Sequence, residues 1–272
     1  MTKSAQEEQT NSSKDIPSQN KVAHYQDSRG HYIILPSINN ITLSDINSRW
    51  FDPSYWQAKD RITGQSKGRN ITWFLKAPEK AADMDWALRH YYRGGLVSKL
   101  SNDRYFFNGL TKTRAYREVS LLQQMIELDL PVPKPIAARV IKNGLSYSAD
   151  LLMEKLAGID LVHKLKSDVL SPETWESIGK TIADFHKHGI YHADLNAHNI
   201  LIGEDDSISI IDFDRCNKRQ IQSMWQRNNI KRLERSFLKE RGLDNSINFY
   251  NDDWISLKKG YAASLNRNNL VE

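Results

Sequence analysis

The sequence predicts an α+β fold of two lobes, an N-terminal antiparallel sheet plus one helix followed by a mostly helical C-terminal lobe. Three observations predict it. β-rich runs separated by turn residues occupy the stretch from about residue 30 to 155. One helical period interrupts them after Thr111, and beyond Ser171 the apolar residues recur mainly at helical spacing. A chain of 272 residues fits one large domain or two lobes sharing a cleft. Its 39% hydrophobic content and seven tryptophans are enough to fill a core of that size.

Taken in order, residues 1–22 are rich in Gln, Asn, Ser and Glu with almost nothing to bury, which predicts a disordered tail. Residues 23–155 form the first lobe. Ile71-Thr-Trp-Phe-Leu75 and the stretch around Trp86-Ala-Leu88 are β-rich, and Gly64 and Gly68 suit a turn joining strands. A helix is expected from about Thr111 to Leu128, with Thr111 as its cap and Ala115, Val119, Leu122 and Met125 or Ile126 on its apolar face. Leu130-Pro-Val-Pro-Lys-Pro135 stops it, because proline cannot continue a helix. A strand from Ser148 to Glu154 leads into Gly158.

Residues 156–272 form the second lobe. Ser171 caps a helix with Pro172 at its first position, Trp175, Ile178, Ile182 and Phe185 make its buried face, and Gly189 closes it. Strands Ile200–Ile202 and Ser207–Ile211 flank a turn at Glu204-Asp-Asp206. A basic helical segment follows, with Ile230, Leu233 and Phe237 on one face.

Composition narrows the function. The single cysteine, Cys216, excludes a disulfide framework within the chain and points to a reducing compartment. Nothing near it would activate it as a nucleophile. No apolar run reaches the eighteen or so residues of a spanning helix, so contact with a membrane would be at its surface. The net charge of +5 is uneven. Residues 215–241 carry nine Lys or Arg against Glu234 and Glu240, and residues 89–117 carry seven against Asp103. Such clusters suit an anionic partner, whether phosphorylated lipid, nucleic acid or nucleotide, or they form solvated helix faces.

The chemistry sits in His192-Ala-Asp194-Leu-Asn-Ala-His-Asn199, followed by Ile211-Asp212-Phe-Asp214. Phosphoryl transfer to a hydroxyl needs a carboxylate to take the proton and oxygen ligands for a magnesium ion on the phosphates. The catalytic loop of protein kinases places Asn five positions after its Asp, the spacing of Asp194 and Asn199. The hairpin Ile200–Ile211 then returns the chain so that Asp212 faces Asn199. The plain structural alternative makes these turn carboxylates and His192 a core histidine. The fixed spacing, the two apolar strands and the second Asp argue against it and favour a protein-kinase-like fold.

At these residues the chain resembles the bacterial lipopolysaccharide kinases, within them the kinases of 3-deoxy-D-manno-octulosonic acid (Kdo). The resemblance runs through Gly68-Arg-Asn-Ile-Thr-Trp-Phe74, Trp86-Ala-Leu-Arg-His-Tyr-Tyr-Arg-Gly-Gly-Leu96, Asp103-Arg-Tyr-Phe106, Thr113-Arg-Ala-Tyr-Arg-Glu118, Leu130–Pro135 and residues 191–215. It implies an enzyme that uses ATP and Mg2+ to phosphorylate the 4-hydroxyl of Kdo on lipid A, at the cytoplasmic face of a Gram-negative inner membrane. Asp194 would orient the hydroxyl as base, and Asn199 and Asp212 would hold the metal. Gly64, Gly68, Arg89, Glu118 and Glu154 would serve the nucleotide.

Two departures from the broader kinase pattern stand out. His-Ala-Asp replaces His-Arg-Asp, and Asp-Phe-Asp replaces Asp-Phe-Gly. Arg89 stands where the strand pattern places the phosphate-gripping lysine, and Lys76 is the competing candidate. Arg93, Arg104, Arg114 and His198 are candidates for touching the sugar. The expected partners are Kdo-lipid A and an anionic membrane surface, with no nucleic acid. The rivals are an atypical protein kinase or small-molecule phosphotransferase of the same fold, and a non-enzymatic nucleotide- or nucleic-acid-binding module. The intact Asp194, Asn199 and Asp212 set argues against the last.

Overall fold

The computed structural model describes residues 22–27, 31–37, 42–67, 71–78, 84–92 and 103–266. Alternating β-branched and aromatic residues in the first part produce strands β1 (Ala23–Gln26) and β2 (His31–Leu35), a short helix α1 (Pro53–Gln57), and strands β3 (Ile62–Lys67), β4 (Ile71–Lys76), β5 (Asp85–His90) and β6 (Tyr105–Phe106). Helix α2 (Arg114–Ile126) follows, then β7 (Pro135–Asn143) and β8 (Ser146–Glu154). Among the described residues these eight strands form one antiparallel sheet in the order β1-β2-β7-β8-β5-β4-β3, with β6 also pairing β8. Strands β7 and β8 are joined by a two-residue loop whose first residue, Gly144, has φ +58°, a conformation glycine adopts without a Cβ clash.

The chain then turns helical. β9 (Ile159–Asp160) leads into α3 (Leu161–Ser167), α4 (Pro172–Lys187), β10 (Ile190–Tyr191), the hairpin β11 (Ile200–Ile202) and β12 (Ile208–Ile210), β13 (Asn217–Lys218), α5 (Ser223–Leu243) and α6 (Asn251–Asn266). Ser171 caps α4 by accepting the Thr174 N–H, and Pro172 takes the first helical position. No helix among the described residues is long and apolar enough to cross a membrane.

The sheet is covered on both faces. Trp56 of α1, with Phe51, packs on Leu75, Trp86, Leu88 and Leu152. Helix α2 packs Ala115, Val119, Leu122 and Met125 against Ala138, Val140 and Leu151. That second core continues into the helical part through Trp175, Ile178, Ile182, Phe185, Phe213, Leu233 and Phe237. One continuous apolar body therefore joins the sheet to the helices and fixes the cleft between them.

Four expectations need correction. Thr113, not Thr111, caps α2 by accepting the Tyr116 N–H, because a 3-10 turn at Leu110–Lys112 occupies the preceding residues. The helix ends at Ile126, and Asp129 at φ +54° reverses the chain before the proline segment is reached. Gly64 lies within β3 beside a register shift rather than in a turn. Finally, the expected tail falls outside the described residues up to position 21, but Val22 is only 3% exposed and belongs to the main core.

Helices α4 and α6 meet through two glycines. A Cβ on Gly179 would stand 2.0 Å from the Leu257 carbonyl oxygen, and one on Gly260 would stand 2.0 Å from that of Glu176. Both obstacles are backbone and cannot swing away. Gly179→Ala is expected to destabilise the protein by about 1–3 kcal/mol through overpacking, despite alanine's better helix propensity. Gly242→Ala on α5, where a Cβ would meet nothing within 4 Å, is the control and is expected to be neutral or mildly stabilising. Urea midpoints for the two variants test the contrast, and an unshifted midpoint for Gly179→Ala would show that the helices can separate.

Candidate active site

Strand β5 sends alternate side chains to opposite faces. Trp86 and Leu88 join the α1 side, so Arg89 does not follow them and meets α2. Its Nη2 lies 2.6 Å from both carboxylate oxygens of Glu118, and its Nη1 donates to Asp212 Oδ1 at 2.6 Å. The Tyr91 hydroxyl, two residues on and just past the end of the strand, donates to Glu118 Oε2 at 2.8 Å. Glu118 is 3% exposed, so it is a buried partner and not a solvated helix residue. Burial opposes the charge on Arg89, but the Glu118 and Asp212 carboxylates outweigh it and hold the guanidinium's pKa above its ordinary range. Lys76 is exposed on β4. It sits opposite Asp85, while Arg89 sits opposite Thr72, so the two cations stand four residues, about 13 Å, apart along the ladder. Arg89, not Lys76, is the cation that pairs with Glu118.

The loop residues 192–199 and Asp212 arrive from the helical part. Gly189, at φ +73°, ends α4 with its Cα against the Arg219 carbonyl oxygen, where a Cβ would be 2.3 Å away. Buried His192 then connects two loops. Its Nδ1 accepts the Asp194 N–H at 3.2 Å, so its Nε2 carries the proton and donates to the Ile211 carbonyl at 3.0 Å. Burial lowers the pKa of this imidazole and keeps it neutral, as that bonding requires. Asn199 Nδ2 donates to the Asp194 carbonyl at 2.9 Å, and the Asn199 carbonyl accepts the Ile211 N–H at 3.0 Å. The backbones carrying Asp194, Asn199 and Asp212 are thus tied together within one hydrogen-bonded loop pair. Asp212 itself takes φ +64°, an uncommon conformation for a residue with a Cβ, next to the Arg89 guanidinium.

A neighbour not foreseen from the sequence is α5. Asn229 Oδ1 accepts the His192 N–H and its Nδ2 donates to the His192 carbonyl, at 3.3 and 3.0 Å. Arg232 Nη1 donates to Asp194 Oδ1 at 2.8 Å. Ser236 Oγ accepts the Ala197 N–H at 3.1 Å, and Glu240 lies 3.6 Å from His198 Nε2. These four residues fall on one helix face and follow the loop in order. The sequence signal was present as polar residues at helical spacing, but only the docking of α5 identifies its target.

The remaining candidates are placed as follows. Arg114 of α2 pairs with Asp214, its Nε donating to Oδ1 at 2.7 Å, so the second acid of Asp-Phe-Asp has a cation from the sheet side. Glu154 ends β8, and its carboxylate accepts the Lys134 N–H at 3.2 Å. His198 lies between Asp160 and Glu240. Arg104 is exposed. Gly68 and Arg93 lie outside the described residues. Cys216 is buried with its thiol pKa pushed up by that burial, which is the reverse of an activated nucleophile. The basic stretch 89–117 is not one surface, because Arg89 is buried and Arg114 is paired.

The donor set suits a hard cation. Asp212 offers a carboxylate that is 45% exposed, and Asn199, with its amide nitrogen spent on Asp194, has its carbonyl oxygen to offer. A cation held there would neutralise phosphate charge beside Arg89.

Residues 53–261 match the lipopolysaccharide kinase (Kdo/WaaP) family. The chain is similar to the 3-deoxy-D-manno-octulosonic acid kinase of Vibrio vulnificus (strain CMCP6), 46% identical over 214 residues that cover 78% of this chain and 88% of that one. It is similar to the proteins of the same name from Actinobacillus succinogenes, 44% identical over 219 residues, and Haemophilus influenzae (strain 86-028NP), 44% identical over 220 residues. Each of those alignments covers 79% of this chain and 90% of the relative. The solved structure of the bifunctional kinase-methyltransferase WbdD is 15% identical with a TM-score of 0.44, over 74% of this chain and 47% of that one.

Proposed function

The chain belongs to the lipopolysaccharide kinase (Kdo/WaaP) family, and from that premise we propose that it transfers the γ-phosphoryl group of ATP to the 4-hydroxyl of Kdo on lipid A. The observation that carries the reading is Asp212 on the buried Arg89–Glu118 pair, with its loop hydrogen-bonded to the loop that bears Asp194 and Asn199. The relatives named 3-deoxy-D-manno-octulosonic acid kinase support the choice of acceptor.

In this reading Asp194 accepts the proton of the sugar hydroxyl as the new phosphorus–oxygen bond forms. The bond from the γ-phosphorus to the bridging oxygen breaks, and ADP leaves. Asn199 and Asp212 would hold magnesium, which lends charge stabilisation to the phosphates when bound. Arg89 and Glu118 orient Asp212, while Gly64 and Glu154 would serve the nucleotide. The acceptor is polyanionic, since lipid A bears phosphates and Kdo a carboxylate.

Helix α5 presents Met224, Arg227, Lys231, Arg235 and Leu238 on one exposed face, mixing apolar and basic side chains. Such a face suits peripheral attachment to an anionic bilayer, in this reading the cytoplasmic face of a Gram-negative inner membrane.

Radiolabelled phosphate transfer from ATP with magnesium, using Kdo-lipid A beside lipid A lacking Kdo, tests the proposal. Label on the Kdo-bearing acceptor alone is the expected result. Equal labelling of both acceptors would move the reaction off Kdo, and no label with ATP still bound would send the search to other acceptors.

A further inference from the structure

Arg232 has no evident structural task. Its pairing with Asp194 is largely in solvent, the two side chains being 45% and 53% exposed, and exposed ion pairs of this kind contribute little to folding. Yet its position is imposed. Asn229, one turn before it, clamps the His192 backbone, and Ser236, one turn after it, holds Ala197. Its guanidinium is thereby delivered to the mouth of the cleft, at the carboxylate the reaction uses.

A hydroxyl that gives its proton to Asp194 must come within about 2.6–3.2 Å of a carboxylate oxygen. Arg232 Nη1 already lies 2.8 Å from Asp194 Oδ1, so this guanidinium borders the place an acceptor hydroxyl would take. Among the described residues Arg232 makes no other hydrogen bond or ion pair with a protein group. Its remaining donors match the two oxygens of a carboxylate or phosphate. Lys231 and Arg235, exposed on the same helix, add positive potential around it.

We propose that Arg232 is the anion-binding residue of the acceptor site, gripping a carboxylate or phosphate of the acceptor while Asp194 takes its hydroxyl. The site then selects acceptors whose anionic group lies within one guanidinium's reach of the reacting oxygen. This inference rests on the phosphotransferase reading above.

The test is steady-state transfer with full-length protein, Arg232→Ala and Arg232→Lys, each first shown to bind ATP like the unaltered protein. Three acceptors are compared: Kdo-lipid A, its carboxyl methyl ester, and a Kdo-lipid A stripped of lipid A phosphates. Arg232→Ala is expected to raise the acceptor KM tenfold or more with the ATP KM within twofold, with Arg232→Lys intermediate and added guanidinium restoring part of the loss. The unaltered protein is expected to penalise one of the two modified acceptors, and Arg232→Ala to lose that penalty. Loss of the ester's penalty identifies the sugar carboxylate as the ligand, and loss of the other identifies a lipid phosphate. An unchanged acceptor KM with only kcat reduced would overturn the proposal, as would penalties that persist in Arg232→Ala. No transfer by the unaltered protein to any of the three acceptors would bring down the Kdo-lipid A reading on which the proposal rests, an outcome distinct from the other two.

Discussion

Asp194→Ala is expected to lower the turnover of phosphate transfer by a factor of about 10²–10⁴, the usual worth of a positioned general base, while ATP binds as before. The fold has no need of this carboxylate. The bonds that shape the loop use the Asp194 backbone, whose N–H goes to His192 and whose carbonyl receives the Asn196 and Asn199 amides. All three survive the substitution. The side chain itself is more than half exposed and contacts Arg232. Asp194→Asn is the closer comparison, keeping the shape and removing the proton acceptor, and it is expected to be similarly impaired. Single-turnover transfer and ATP titration on the same preparation decide the matter. Turnover within a few-fold of the unaltered protein would take Asp194 out of its role.

Arg89→Ala is expected to be the most damaging single change to stability, at about 3–5 kcal/mol, because it strands a buried carboxylate. Glu118 takes its charge partner from Arg89 and a further donor from the Tyr91 hydroxyl, and the alanine variant leaves only the latter. Activity is expected to fall with it, since Asp212 loses the cation that fixes its carboxylate. Arg89→Lys keeps the charge but replaces a planar fork reaching both Glu118 and Asp212 with a single ammonium, and an intermediate loss is expected. The double variant Arg89→Met with Glu118→Met separates the two consequences. It removes the stranded charge, so its unfolding midpoint is expected to recover towards that of the unaltered protein while transfer stays low. Denaturant unfolding measures the first effect and the transfer assay the second. An Arg89→Ala midpoint close to that of the unaltered protein would mean that Glu118 finds another partner or protonates without cost.

Much of this arrangement was legible because its signals are local. The cap and proline at Ser171-Pro172, the Gly189 terminus, and the hairpin of β11 and β12 all depend on residues a few positions apart. The Asp194–Asn199 spacing belongs with them, since one loop sets it. The central strand β7 was missed, although Asn143-Gly144 before Leu145 is a hairpin signal that marks its end. The prolines at 131, 133 and 135, the last of them its first residue, drew attention to where α2 stops and away from what begins. Helix α6 was hidden inside an undivided helical tail. The two glycines that let it approach α4 carry no mark of their own, because close approach is a property of two helices and not of either.

Taken by itself, the sequence determined that an antiparallel sheet is followed by helices and that Asn199 follows Asp194 at the five-residue spacing of a kinase catalytic loop, because backbone preference and short-range spacing act within a few residues. Tertiary structure alone gave Glu118 of α2 its partner in Arg89 and not Lys76, since only the sheet register shows which of the two cations stands at that helix. It alone paired Arg114 with Asp214, a hundred residues apart, and brought Arg232 of α5 to Asp194. Charged partners so distant in the chain carry no periodic signature. They become partners only when burial of the intervening apolar residues brings opposite charges within reach of one another.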